Sequence, residues 1–246
     1  MLESITTGKT KKPPRIVGYG DNGVGKSTFA ANAPAPVFIQ TEDGLGEIDC
    51  HKFPLVEDFA TFMDQLRAVY AEKHEYQTLV IDSIDWLEKL IWADVAKANN
   101  AKSIEAIPYG KGYKLAMQQW GEVLTALDYI RNERGMAIIL IAHAKIERFE
   151  DPETQGYDRH TLRLHKEADA TIREWADAVL FATVKFRLEK EDLGFNKTRA
   201  IAKGIGAGGG ERILRTVGSP ACVAKNRFGI AGDIPLVWEE FAKYLN

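Results

Sequence analysis

A chain of 246 residues can form one large α/β domain, or at most two small ones, and can bury a sizeable core. With 45% hydrophobic and 27% charged residues it has the balance of a soluble globular protein, which excludes a fibrous or disordered polymer. A formal net charge of −3 excludes a generally basic coat for nucleic acid, so any such contact must come from a local patch.

In chain order, residues 1–14 are polar and basic, end in Pro13-Pro14, and read as a flexible or docked tail ahead of a single domain over 15–246. No apolar run reaches bilayer length and the first residues lack the apolar stretch of a signal peptide, so a cytoplasmic chain without a membrane partner is expected. Cys50 and Cys222 have no zinc spacing and read as buried thiols in a reducing compartment. "RIVGYG" is a short apolar strand, and "DNGVGKSTFAANA" passes from a glycine-rich loop into a helix stopped by Pro34. "APVFIQTEDG" is a second strand. Helical spacing of Phe59, Phe62, Met63, Leu66, Val69 and Tyr70 predicts a helix, and "YQTLVIDSIDWLEKLIWADVAKA" predicts a buried strand and a helix. A loose stretch over 98–114 precedes a helix from Leu115 to about Arg134 and the apolar strand "MAIILIAHA". Continuous apolar strands alternating with helices argue for a mainly parallel sheet covered on both faces. Beyond Ala144 the pattern predicts a long polar loop over 145–166. Short strands in "WADAVLFATVKFRLEK", "KTRAIAKG", "ERILRTVG" and "ACVAKNRF" follow and suit an antiparallel extension, with "GIGAGGGE" as a glycine turn.

Gly20, Asp21, Asn22, Gly23, Val24, Gly25, Lys26 and Ser27 fit G-x-x-x-x-G-K-[ST], in the strand-loop-helix context that the motif needs. Glycines let backbone N–H groups curl around phosphates, and the helix that follows, through Thr28, aims its positive dipole end at them. Lys26 can reach the β- and γ-phosphates of ATP, and the Ser27 hydroxyl can ligate Mg²⁺. Asp82, at the C-terminal end of "TLVID", is the expected carboxylate on the metal, although Asp82 or Ser83 could also cap the next helix. Glu42, with Asp43 and Glu47 as rivals, is the candidate to activate water. His143, at the end of "IILIAH", faces the same crevice as a candidate γ-phosphate contact or a satisfied strand-end residue. Lys225 and Arg227 in "AKNRF" read as charges at a strand end.

Taken together, the P-loop, "VFIQTEDGLGEID", "LVIDSI", "IILIAHAK" and Lys-Asn-Arg resemble the RecA-like recombinase ATPases over about residues 15–245, and in length the short core-only bacteriophage type associated with single-strand annealing. The resemblance implies a RecA-like P-loop fold, Glu42 as catalytic glutamate, and His143 where RecA carries a γ-phosphate-sensing Gln. It implies a Mg²⁺-dependent, DNA-stimulated ATPase acting as a ring or filament in phage recombination, with a single-strand-binding protein as a further partner. Lys225 and Arg227 would reach the γ-phosphate of the adjacent subunit. Two segments would face single-stranded DNA. Lys102, Tyr109, Lys111 and Lys114 lie in the first; Lys145, Arg148, Phe149, Tyr157, Arg159, His160 and Arg163 lie in the second. A helicase or loader motor, and a KaiC-like regulatory protein, share the same P-loop and remain alternatives.

Overall fold

A computed structural model describes residues 2–8, 11–192, 198–204 and 210–245, with the side chains of Glu3 and of 187–209 outside the description. The predicted "GIGAGGGE" turn lies mostly outside the described residues.

The first half runs β1 (Arg15–Gly20), α1 (Lys26–Ala31), β2 (Pro36–Gln40), β3 (His51–Lys52), α2 (Phe59–Ala71), β4 (Thr78–Asp82), α3 (Ile84–Ala98), α4 (Lys111–Glu133) and β5 (Ala137–Phe149). The second half runs β6 (Tyr157–Leu162), α5 (Lys166–Trp175), β7 (Ala178–Val184), β8 (Phe186–Asp192), β9 (Thr198–Gly204), β10 (Arg212–Arg215), β11 (Lys225–Asn226), β12 (Ile234–Pro235) and α6 (Trp238–Ala242). The main sheet has the order β12-β10-β7-β1-β5-β4-β2-β3. β7, β1, β5, β4, β2 and β3 are mutually parallel, whereas β10, β11 and β12 join antiparallel. β8 and β9 form a separate hairpin sheet.

Successive strand residues face opposite sides, so each buried strand feeds two cores. Val17, Tyr19, Leu79, Ile81 and Leu140 pack with Phe62, Ile84, Trp120 and Ile172 of α2, α3, α4 and α5. Ile16, Phe38, Val80, Ile139 and Ile141 pack with Phe29, Trp238 and Phe241 of α1 and α6. The Asp58 carboxylate caps α2 by accepting from Thr61 N at 2.7 Å. No described helix is long and apolar enough to cross a membrane.

Four expectations change. The predicted loop over 145–166 is a hairpin of β5 and β6, continued by the start of α5. Its strands hold together by cross-strand pairs, Glu147 opposite Arg159, Arg148 opposite Asp158 and Phe149 opposite Tyr157. Both faces of that hairpin carry polar residues, so no apolar period marks it. β7 lies parallel beside β1 rather than in an antiparallel extension, because α5 carries the chain back to the start of the sheet. Within 98–114, short 3-10 turns at Ile104–Ala106 and Pro108–Gly110 lead directly into α4, so Lys111 and Lys114 are helical. Cys50 is half-exposed; Cys222 is buried as expected.

Glu88 of α3 is a buried acid whose carboxylate accepts from His165 N at 2.9 and 3.2 Å at the start of α5. Burial pushes it up to about 7, against the pull of that hydrogen bond. The folded chain then holds a proton that the unfolded chain has released, so stability falls as pH rises from about 4.5 to about 7 and the full penalty remains above that. Glu88→Gln keeps an acceptor and removes the charge. It is expected to raise stability at pH 8 by roughly 1–3 kcal/mol with little effect at pH 4.5, read by denaturant titration at both values.

Candidate active site

β1 ends between two parallel neighbours, β5 and β7, and the loop 21–25 leaves at the C-terminal edge of the sheet, where open α/β sheets gather ligands. Glycine is required twice here. A Cβ on Gly20 would lie 2.2 Å from the Ala182 carbonyl oxygen, and Gly25 holds φ 110° at the head of α1. Asn22, Gly23, Gly25, Lys26, Ser27 and Thr28 of the loop and α1 line a cavity of about 370 Å³, facing Glu42, Asp43, Asp82 and His143. That size suits a small-molecule ligand. A separate groove of about 300 Å³ between α2 and α4 is lined mainly by apolar and aromatic residues such as Met63, Leu66 and Tyr129, and offers none of this chemistry.

The expected metal pair meets directly: Ser27 Oγ donates to Asp82 Oδ2 at 2.6 Å. The two residues are 55 positions apart, brought together because β4 ends beside the start of α1. Burial pushes the Asp82 carboxyl up, while the Ser27 hydroxyl and Lys26 draw it back. Lys26 Nζ donates to the carbonyls of Gly20 (3.1 Å) and Asp21 (2.8 Å). Burial lowers its ammonium, and Asp82 and Glu42 oppose that shift. A hydroxyl and a buried carboxylate in hydrogen-bond contact beside a glycine cradle fit a hard cation shared with phosphates.

Glu42, just beyond β2, is raised by burial and by Asp82 and Asp85, with His143 pulling the other way. His143 Nε2 lies 3.7 Å from Glu42 Oε1. His143 is not a strand tip: the sheet ladder with β1 ends there, but β5 continues to Phe149. Sequence reading missed what holds it. Asp85, buried on the first turn of α3, accepts from His143 N at 3.0 Å and lies 3.1–3.2 Å from His143 Nδ1. Arg163 Nε donates to the same carboxylate at 3.0 Å. Burial alone would raise Asp85, but the bonds from His143 and Arg163 outweigh it and hold the carboxyl well below its usual range. Arg163 therefore sits at the base of the hairpin, paired beside the cavity, apart from the other cations named with it. An acid three residues after a magnesium-type Asp, on a helix, was the available signal.

The remaining expected residues lie elsewhere. Lys102, Tyr109, Lys111 and Lys114 are all exposed, Tyr109 by 95%. On the hairpin, Lys145 pairs with Glu147, Arg148 with Glu150 and Asp158, and the Arg159 guanidinium lies 4.0 Å over the Phe149 ring. His160 stacks on Phe181 instead of facing outward. The two segments meet where Tyr113 stacks on His165 at 4.5 Å.

Lys225 and Arg227 are at the other end of the sheet. β11 pairs with Ala178 and Val179 at the start of β7, about 10–13 Å along the strands from Gly20. Arg227 Nη1 pairs with Asp177 at 3.0 Å and is 59% exposed. Asp177 is also paired with the more buried Arg15 and Arg131. Lys225 Nζ donates to Glu174 O at 3.4 Å, and burial and Arg227 lower its ammonium. Asn226 turns inward as expected, donating to Thr216 O and Ile230 O and accepting from Phe228 N and Ile230 N.

A protein-family model described as an AAA domain matches residues 12–228. That match is to the AAA description and not to RecA-type recombinases in particular. No curated protein matches the chain.

Proposed function

The chain belongs to the AAA domain family, of the P-loop NTPase type, and from that premise we propose that it is a Mg²⁺-dependent ATPase of RecA type that assembles on single-stranded DNA and promotes annealing and strand exchange in phage recombination. Lys26 and the N–H groups of 23–28 bind the phosphates; Ser27 and Asp82 would hold the metal, which when bound would neutralise charge on the phosphate oxygens. Glu42 orients the attacking water and takes its proton, a role suited to a carboxylate raised by burial. His143, anchored on Asp85, stands beside Glu42 as the group that meets the γ-phosphate.

The observation that carries the assembly is the separation of charges. Glu42, Asp82 and His143 converge on the P-loop, whereas Lys225 and Arg227 stand toward the opposite end of the strands, beside the start of β7 and away from their own site. Cations there serve a neighbour's nucleotide when subunits stack, stabilising transition-state charge in trans. Releasing Arg227 leaves Asp177 still paired with Arg15 and Arg131, so the exchange exposes no lone buried carboxylate. The hairpin cations are held by exposed pairs worth about 0–1 kcal/mol each, which DNA phosphates can replace at little cost.

The test is ATPase rate and electron microscopy of the full chain with and without single-stranded DNA and an ATP analogue. Stimulation together with rings or filaments supports the reading; a rate indifferent to DNA and a persistent monomer sink it, and strand displacement on a tailed duplex turns it toward a motor. Arg227→Ala is expected to bind ATP normally and to lose the assembly-linked stimulation, by about 10²-fold or more in rate.

A further inference from the structure

Arg212 opens β10 and, among the described residues, is the one Lys or Arg besides Lys26 in the cavity wall, which also carries three carboxylates, Glu42, Asp43 and Asp82. Its guanidinium packs against the phosphate loop: Nη1 lies 3.2 Å from the place a Cβ on Gly25 would occupy. Leu236 fixes its backbone by donating from its N–H to Arg212 O at 3.0 Å, and Leu236 Cδ2 packs at 3.4 Å from the same Gly25 point. Among the described residues no carboxylate or carbonyl accepts from the Arg212 side chain. Glu211, next to it, is paired with Lys185 at 3.6 Å. Arg15, Arg131, Arg148, Arg163, Arg173 and Arg227 have acidic partners, and Arg134, Arg159 and Arg215, which have none among the described residues, do not line the cavity.

An exposed guanidinium with no acidic partner among the described residues, set against a glycine cradle in a wall otherwise rich in carboxylates, calls for an anion. We propose that Arg212 is a phosphate ligand of the nucleotide in its own subunit, gripping polyphosphate oxygens from the side of Gly25 opposite the acidic wall. The planar fork suits two phosphate oxygens at once. The antiparallel strands β10 and β12 then do more than extend the sheet: they deliver and brace the second cation of the phosphate site. This rests on the nucleotide-site reading above.

The test is displacement of a fluorescent ATP analogue by ATP, ADP, inorganic tripolyphosphate and adenosine, with wild type, Arg212→Ala, Arg212→Lys, Arg212→Gln and Lys26→Ala in parallel. Arg212→Ala is expected to weaken ATP, ADP and tripolyphosphate by about tenfold to a hundredfold, the range of a lost charge-assisted hydrogen bond, with lysine recovering part and glutamine little. Should the alanine variant fail to fold, the lysine and glutamine variants carry the same comparison. Unchanged tripolyphosphate competition in a variant whose Lys26→Ala counterpart is impaired overturns the role of Arg212 alone. A loss seen with adenosine but not tripolyphosphate overturns it in favour of a base contact. A wild-type chain that binds none of the phosphates overturns both readings.

Discussion

Lys26→Ala is expected to abolish ATP turnover and to remove most nucleotide binding. The ammonium lies under the phosphate loop, held by two carbonyls of that loop and facing Asp82 and Glu42. Alanine deletes the charge that balances those carboxylates where phosphates must enter. One hydrogen bond to a charged group is worth about 1.5–3 kcal/mol, or roughly tenfold to a hundredfold in affinity. The same contact strengthens as charge develops on the transferring phosphoryl group, so turnover falls further, by about 10³-fold or more. Equilibrium binding of labelled ATP and steady-state phosphate release measure the two losses. Near-normal turnover in a variant whose circular dichroism is unchanged would end the phosphate-site assignment.

Glu42→Gln separates binding from chemistry. The side chain keeps its size and one acceptor oxygen, so contacts that position the nucleotide survive, but an amide cannot take a proton from water. Nucleotide affinity within about threefold of wild type is expected, with hydrolysis slowed by about 10²–10⁴-fold. The variant is thereby expected to hold ATP without turning it over. The cavity narrows the alternatives, since Asp43 lines it and Glu47 does not. Normal hydrolysis in Glu42→Gln would transfer the role to Asp43, and the double variant would then show the loss.

What could be read from sequence was local. The glycine spacing of 20–27 and the apolar run ending at Asp82 each lie within one strand-to-helix junction, and the structure brings Ser27 and Asp82 into contact. Asp85 and Arg163 were not legible as partners because they are 78 residues apart and meet only when α3 and the end of β6 converge. Arg212 is harder still, arriving from an antiparallel edge after a separate hairpin. The hairpin 145–162 escaped for another reason. Its stability comes from opposite charges and an aromatic pair across the strands, and that information lies in pairing rather than in period. Lys225 and Arg227 show the opposite lesson. Their strand and their inward-turned neighbour Asn226 were legible, whereas the three-arginine cage around Asp177 required the folded chain.

β5 runs unbroken from Ala137, at the back of the sheet, past His143 at the cavity and on to Phe149 near the hairpin tip. From His143 to Phe149 it extends about 20 Å, and its pairing passes from β1 to β6 at Ala144. Arg163 ties the chain just past the returning strand to the same Asp85 carboxylate that holds His143, so both arms of the hairpin are anchored at the cavity by one buried acid.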